Sequence, residues 1–194
     1  MISELFAFSL VRKCERIYNM RMRKSIVPSA YYRSSREIPP EVLAKMGIKL
    51  VLFDLDNTLD PYAVSEPTEE AFAMCARFKE AGLRPFICSN NKEKRVGHYA
   101  KLLGIEYACM MLKPFAFKIN KLIESLGYHK NEVVLVGDQI QTDVKAGVRA
   151  HIMTILVEPL DPSIEPPWTR FNRTFDKPKR EKMREAGLLK PFAN

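Results

Sequence analysis

The sequence predicts an α/β protein built on a doubly wound parallel sheet. Between residues 48 and 157, short apolar runs alternate with segments whose apolar residues recur at helical spacing, an order typical of parallel strands joined by helices. Two of the runs, at residues 50–53 and 133–136, are continuously apolar, as expected of central strands that are buried on both faces. We therefore expect three layers, with helices on both sides of the sheet.

The individual elements follow from this alternation. Strands are predicted at residues 48–53, 84–88, 107–111, 132–136 and 151–157. Helices are predicted at residues 41–46, 68–81, 92–103, 115–127 and 140–148. Together these elements define a Rossmann-like core at residues 47–160, which is preceded by residues 1–46 and followed by a basic C-terminal tail at residues 161–194.

Residues 1–46 are predicted to hold a basic amphipathic helix and a connecting segment. Apolar residues between Ile2 and Ile17 recur at helical spacing, and six Arg and Lys residues cluster between Arg12 and Lys24. Such a helix can lie on an anionic membrane surface or pack against the core of its own protein. The pattern leaves both alternatives open.

The net charge of +8 is concentrated at the two ends of the chain. Residues 1–40 hold 8 basic against 3 acidic residues, and residues 168–194 again hold 8 against 3. An anionic partner at the flanks would explain this distribution, and so would ends that only confer solubility.

Three features predict a cytoplasmic protein that meets a membrane only peripherally, at its inner face. The four cysteines are widely spaced and form no Cys-x-x-Cys motif, which fits a reducing compartment. The apolar runs fall far short of the roughly 20 residues of a membrane-spanning helix. The basic residues follow the first apolar run, whereas in a secretory signal they precede it.

Polar side chains follow three of the predicted strands where each strand ends. The three clusters are Asp54-Leu55-Asp56-Asn57-Thr58-Leu59, Cys88-Ser89-Asn90-Asn91 and Gly137-Asp138-Gln139-Ile140-Gln141-Thr142-Asp143. Each cluster by itself is compatible with the capping of the next helix. Because ligands of open α/β sheets bind outside the carboxyl ends of the strands, three such clusters favour one functional site.

The carboxylates of these clusters predict a magnesium site. Asp54, Asp56 and Asp138 supply oxygen ligands of the kind that Mg²⁺ prefers. The three histidines of the chain are unclustered, so His and Cys offer no zinc site.

The same carboxylates predict phosphoryl transfer. A carboxylate held against a metal-bound phosphate can attack phosphorus and form an acyl phosphate, and Asp54 is placed for this role. Asp56 is the candidate that protonates the leaving oxygen and then takes a proton from the hydrolysing water.

Further residues are candidates for holding the phosphate. Ser89 and a backbone amide near Asn90 are expected to bind phosphoryl oxygens. Lys113 lies in a loop before the helix at residues 115–127 and is the candidate cation that offsets the charge of the transferred group. Lys118 is the alternative cation, although its place within that helix favours exposure to solvent.

The order of these motifs resembles the four motifs of the haloacid-dehalogenase superfamily over most of residues 48–145. The strings are D-x-D-x-T, then Ser, then Lys-Pro, then G-D-x-x-x-x-D. The sequence is still more similar to the type IIIA, YqeG-like branch at residues 47–49, 54–59, 89–91 and 137–139. That branch includes phosphatidylglycerophosphate phosphatases.

The resemblance implies a role for each matching residue. It implies Asp54 as nucleophile and Asp56 as acid and base. It implies a phosphate site made of Thr58, Ser89, Asn90 and Lys113. It implies a Mg²⁺ site made of Asp54, Asp56, Asp138 and Asp143, the last as a direct ligand or as a support for one.

The spacing of the motifs predicts a core without a cap. Superfamily members usually carry a cap domain after the first or second motif, but residues 59–88 and 90–112 are already used by core elements. An open site suits a phosphate on a large molecule. The basic N-terminus and the branch resemblance favour phosphatidylglycerophosphate, an anionic phospholipid, at a membrane surface, and a phosphorylated protein or nucleotide is the alternative.

Two other functional classes fit the sequence less well. A receiver-like signalling domain would hold its acyl phosphate as a signal, but Asp56 stands ready to hydrolyse it. A nucleic-acid- or ribosome-binding protein would explain the basic ends, but no motif interleaves aromatic with basic residues. We therefore do not expect nucleic acid as the partner.

Overall fold

The computed structural model describes residues 26–192 and has a six-stranded, entirely parallel sheet with the strand order β1-β6-β5-β2-β3-β4. The strands are β1 (Ala30–Tyr32), β2 (Leu50–Phe53), β3 (Arg84–Cys88), β4 (Glu106–Ala108), β5 (Val133–Gly137) and β6 (Met153–Val157). The helices are α1 (Pro40–Lys45), α2 (Glu69–Glu80), α3 (Glu93–Leu103), α4 (Phe117–Ser125), α5 (Lys145–Ala150) and α6 (Pro167–Glu185). The predicted doubly wound α/β fold is confirmed. The basic helix predicted before residue 25 lies outside the described residues.

The strand β2 shows why the sheet is covered on both faces. Its four residues are all buried and point alternately to opposite sides. Val51 and Phe53 pack in the cluster formed with α2 and α3, whereas Leu50 and Leu52 pack with α4 and α5. The continuous apolar run is therefore the signature of a strand with two buried faces.

The helix α2 forms as its sequence pattern predicts. Thr68 caps its first turn by accepting the backbone N–H of Ala71. Its buried residues recur along one face and include Phe78, whose ring meets Phe53 of β2 edge-on at 5.1 Å. Gly82 follows with a positive φ and ends the helix.

Two regions differ from the sequence prediction. The segment before residue 47 contributes the edge strand β1, in which Ala30 pairs with Ile155 of β6, so the predicted core boundary does not coincide with the edge of the sheet. The predicted C-terminal tail contains α6, a helix of 19 residues. Both elements depend on contacts with distant parts of the chain, which local patterns do not reveal.

The helix α6 is anchored to the sheet by buried polar side chains. Asp176 accepts the backbone N–H groups of Ile140 and Gln141 at 2.9 and 3.0 Å. Arg180 donates to the carbonyl oxygen of Val157, at the end of β6, at 2.9 Å. The polar face of α6 therefore points inward, toward the carboxyl edge of the sheet.

The connections after β2 and β3 carry no inserted domain. Residues 54–68 link β2 to α2, and residues 89–92 link β3 to α3. The carboxyl edge of the sheet is thus uncapped, as predicted. Among residues 26–192, no helix combines the length and the apolar character needed to cross a bilayer.

The packing of α5 on β6 yields a test of the fold. A methyl group at Gly147 would lie 2.1 Å from Cγ2 of Thr154, deep inside the core. We expect Gly147→Ala to lower the free energy of unfolding by about 1–3 kcal/mol, as overpacking does. Gly97→Ala is the matched control, because there the added methyl group would meet the flexible end of Glu93 and the hydroxyl of Tyr107. Urea denaturation of both variants checks the difference, and equal losses would contradict the packing argument.

Candidate active site

A buried lysine lies at the centre of the polar residues at the carboxyl edge of the sheet. Nζ of Lys113 is 2.7 Å from Oδ1 of Asp54 and 2.7 Å from Oδ1 of Asp143, and it donates to the carbonyl oxygen of Cys88 at 2.8 Å. Only 1% of the lysine side chain is exposed. One ammonium group therefore joins the ends of β2 and β3 to the turn after β5.

The loop that carries Lys113 is fixed by Asn90. Oδ1 of Asn90 accepts the backbone N–H of Lys113 at 2.7 Å, and Nδ2 donates to its carbonyl oxygen at 2.9 Å. Asn90 is thus engaged through its side chain in positioning the lysine. Lys118, the alternative cation, donates to the carbonyl oxygen of Met110 at 2.5 Å and is not among the residues that line the cleft at this edge of the sheet.

Three buried carboxylates meet beside Lys113. Asp54, Asp138 and Asp143 each offer an oxygen atom within 4.8 Å of the oxygens of the other two. Burial, opposed by Lys113 and reinforced by the neighbouring carboxylates, raises the pKa of Asp54 to about 8. Burial also raises the pKa of Asp138 to about 6, although Arg173 acts in the opposite direction.

This donor set fits a hard divalent cation. When all three carboxylates are ionised, their charge exceeds that of the two cations that contact them, Lys113 and Arg173, and Arg173 is also shared with Glu165. An uncompensated buried charge is costly. Oxygen-only donors are those that Mg²⁺ takes up, and Asp54, Asp138 and Asp143 are the residues that would hold it.

Asp56 lies apart from this cluster. Its Oδ1 accepts a hydrogen bond from Nε of Arg95 at 2.8 Å, and its Oδ2 accepts one from Nδ2 of Asn91 at 3.0 Å. The carboxylate lines the same cleft as Asp54 but is held by a different cation. The structure therefore brings together three of the four carboxylates predicted as metal ligands and directs the carboxylate of Asp56 elsewhere.

Thr58 and Ser89 occupy different positions. Thr58 is fully buried and donates its hydroxyl to Oδ1 of Asp138 at 3.3 Å, so it supports that carboxylate. Ser89 lines the cleft and its Oγ accepts the N–H of Asn91 at 3.2 Å. That contact leaves the hydroxyl hydrogen of Ser89 available for a phosphoryl oxygen.

Sequence reasoning missed the residues of α6 that hold Asp138. Arg173 pairs with the Asp138 carboxylate and with Glu165, and it donates to the carbonyl oxygen of Asp138 at 3.1 Å. Arg180 donates to the same carbonyl oxygen. Burial lowers the pKa of Arg173, but Asp138 and Glu165 outweigh it and raise the pKa. The excess of predicted carboxylates over predicted cations is the signal that could have indicated a missing partner.

These residues surround an open cleft of about 910 Å³. Its base carries Asp54, Asp56, Ser89 and Lys113, and one wall is formed by α6 and the residues just before it. The cleft presents a paired carboxylate, a hydroxyl group and a buried ammonium group to the same space. This arrangement can accommodate a phosphoryl group and place a carboxylate oxygen against it.

Comparisons with known proteins agree with this geometry. A model of HAD-hydrolase-like proteins matches residues 111–159. The chain is 33% identical over 156 residues to the Bacillus subtilis (strain 168) protein named "Probable phosphatase YqeG", an alignment that covers 80% of this chain and 90% of that protein. It is 30% identical over 156 residues to phosphatidylglycerophosphate phosphatase 1, chloroplastic/mitochondrial, of Arabidopsis thaliana. That alignment covers 74% of this chain but only 44% of the plant protein, so the chain spans less than half the length of this relative.

A solved structure shares the fold. An uncharacterized protein from Listeria monocytogenes serotype 4b superposes with a TM-score of 0.51 at 18% identity, covering 69% of this chain and 99% of that one. The similarity to the Bacillus protein extends over most of both chains, and the fold and the predicted motifs agree with it. The chain belongs to the YqeG-like phosphatases of the haloacid-dehalogenase family of hydrolases.

Proposed function

We propose that this phosphatase is a Mg²⁺-dependent phosphomonoester hydrolase that works through a phosphorylated Asp54 and acts on phosphatidylglycerophosphate at a membrane surface. The observation that carries the chemistry is the contact of Lys113 with both Asp54 and Asp143 at the base of an open cleft. A cytoplasmic protein that associates peripherally with the inner face of the membrane would meet this substrate.

In the first step, Asp54 attacks the phosphorus atom. Lys113 engages Oδ1 of Asp54, so we assign Oδ2 as the attacking oxygen. The bond between phosphorus and the ester oxygen breaks, and Asp56 gives its proton to that oxygen. Arg95 and Asn91 each occupy one oxygen atom of Asp56, so one of these contacts has to open before Asp56 can present a proton to the ester oxygen.

In the second step, water attacks the phosphorus atom of the acyl phosphate. Asp56, now ionised, takes the proton of the water, and the bond between phosphorus and Asp54 breaks to release inorganic phosphate. Arg95 and Asn91 hold the carboxylate of Asp56 in the cleft for this step. Ser89 and Lys113 hold the phosphoryl oxygens through both steps.

Bound Mg²⁺ would supply positive charge against the carboxylates and the phosphate. Asp54, Asp138 and Asp143 would hold the ion. Thr58 and Arg173 keep Asp138 in place.

The substrate assignment has two supports. The cleft is uncapped and open, so it can admit a phosphate that is attached to a large molecule. A relative that is 30% identical over 74% of this chain is named phosphatidylglycerophosphate phosphatase 1. A soluble phosphomonoester is the competing substrate.

The role of Asp54 is tested by phosphate release from phosphatidylglycerophosphate in mixed micelles. We expect Asp54→Asn to lower the rate by about 10³-fold or more, because the amide cannot attack phosphorus. Asp161→Asn is the matched control, since Asp161 hydrogen-bonds to Ser163 on the surface, and it should keep the wild-type rate. Turnover by Asp54→Asn at the wild-type rate would exclude the aspartyl-phosphate mechanism.

The substrate is tested by comparing two phosphate donors at equal phosphate concentration. We expect release from phosphatidylglycerophosphate to exceed release from a soluble phosphomonoester such as p-nitrophenyl phosphate by at least about tenfold in kcat/KM. Release that is equal or faster from the soluble ester would retain the phosphatase chemistry and discard the lipid.

The metal site is tested by thermal unfolding without substrate. At a Mg²⁺ concentration about a hundred times its Kd, we expect the Tm of the chelator-treated protein to rise by roughly 5–10 °C. Asp138→Asn should lose most of this rise, because one of the three clustered carboxylates is neutralised, whereas Asp161→Asn should keep it. An equal rise in Tm for the wild-type protein and both variants would show that Mg²⁺ binds outside the cluster of Asp54, Asp138 and Asp143.

A further inference from the structure

The helix α6 has its apolar face outward, the reverse of an ordinary surface helix. It buries Asp176 and Arg180 against the sheet and exposes Trp168, Phe171 and Phe175. These aromatic residues have i, i+3 and i+7 spacing and therefore share one face. Trp168 is 71% exposed, which is unusual for the largest apolar side chain of a protein.

Exposed aromatic residues also lie between Lys113 and the start of α4. Phe115 lines the cleft and is 60% exposed, and Phe117, the first residue of α4, is exposed as well. Trp168 and Phe175 line the same cleft. We refer to Phe115, Phe117, Trp168, Phe171 and Phe175 as the aromatic rim. The rim thus combines two separate segments of the chain, each of which contributes to the lining of the cleft.

The charges near the opening favour an anionic partner. Lys92 and Lys145 line the cleft, and Arg170 is exposed on α6 between the aromatic residues. Each carboxylate that lines the same cleft contacts a cation: Asp54 contacts Lys113, Asp56 contacts Arg95 and Glu165 contacts Arg173. Lys113 and Arg173 are shared with Asp143 and Asp138, which do not line the cleft. Exposed positive charge beside exposed Trp and Phe is the composition of segments that lie in the interface of anionic membranes.

We propose that the aromatic rim seats the mouth of the cleft on an anionic phospholipid bilayer, so that a lipid phosphate enters the site without leaving the membrane. The inference rests on the proposed function, because it assumes a phosphorylated lipid as substrate. It assigns the membrane contact to α6 and the start of α4.

The geometry of the rim favours lipid over single-stranded nucleic acid. The rings of Trp168 and Phe171 stack at 5.8 Å, and those of Phe171 and Phe175 meet edge-on at 5.2 Å. Because the rings pack against one another, they form one apolar surface and not a row of separate stacking platforms for successive bases. An apolar surface beside an open site suits contact with the interfacial region of a bilayer.

The single tryptophan of the chain makes the proposal directly measurable. The full-length protein is titrated with vesicles of mixed phosphatidylglycerol and phosphatidylcholine, without turnover, and the emission of Trp168 is followed. We expect a blue shift and protection from acrylamide quenching with these vesicles, and a much smaller change with pure phosphatidylcholine. Emission that stays unshifted while the protein floats with the vesicles would assign binding to another surface and overturn the proposal.

Substitutions in the rim provide the second readout. We expect Phe171→Ser with Phe117→Ser to weaken vesicle flotation by roughly tenfold or more, since two exposed apolar side chains are lost. Phe72→Ser with Leu102→Ser is the matched control, because those side chains are similarly exposed on α2 and α3 and should leave flotation unchanged. Equal binding by the two double variants, with Tm values showing that both are folded, would overturn the role of the rim.

The outcomes separate the rim from the proposed function. Vesicle binding through Trp168 without hydrolysis of phosphatidylglycerophosphate would retain the rim and reject the substrate. Hydrolysis in detergent micelles without a change in Trp168 emission on vesicles would retain the substrate and reject the rim. A blue shift that depends on protein concentration and not on lipid would indicate a second copy of the chain and also reject the rim as a membrane contact.

Discussion

The buried ammonium group of Lys113 is the interaction on which the site depends. It is the shared partner of Asp54 and Asp143 and of the carbonyl oxygen at the end of β3. Without it, two buried carboxylates would face each other, and burial of unpaired charge is among the most costly arrangements in a protein. The lysine therefore makes it possible for strand ends that carry like charges to converge at one edge of the sheet.

The excess negative charge that remains has a functional meaning. Lys113 and Arg173, the second of which is shared with Glu165, do not balance three ionised carboxylates, and the raised pKa values of Asp54 and Asp138 reflect this shortage together with their burial. A site that is fully neutral by itself has little need of a divalent cation. A site that is short of positive charge would gain stability from the divalent cation that we propose for it.

Much of the fold and of the site follows from local patterns. Continuous apolar runs identify β2 and β5, and the polar clusters after the strands place Asp54, Ser89 and Asp138 at one edge, because parallel strands end together. The direction in which each carboxylate points is not local. Nothing in the string around Asp56 indicates that Arg95, 39 positions away, would hold it.

The role of the C-terminal region is the clearest case of a missed element. Its Lys, Arg and Pro content identifies a basic tail but leaves its order undecided. Asp176 and Arg180 are buried because their partners are backbone groups at the edge of the sheet. Local composition gives the charge of these residues but does not reveal the distant backbone groups that form hydrogen bonds with them. The exposed aromatic face of α6 could not be predicted either, because the apolar side of a surface helix is usually buried.

The position of α6 in the chain sets an order of events during synthesis. The sheet strands that carry Asp54, Ser89 and Asp138 leave the ribosome before Arg173 and Arg180 are made. Until those arginines arrive, Asp138 lacks the cations that its burial demands. β1, made early, must also wait for β6 before it has a partner. A partly synthesised chain therefore holds most of the candidate site residues, and the contacts of Asp138 are complete only when the C-terminal helix has docked.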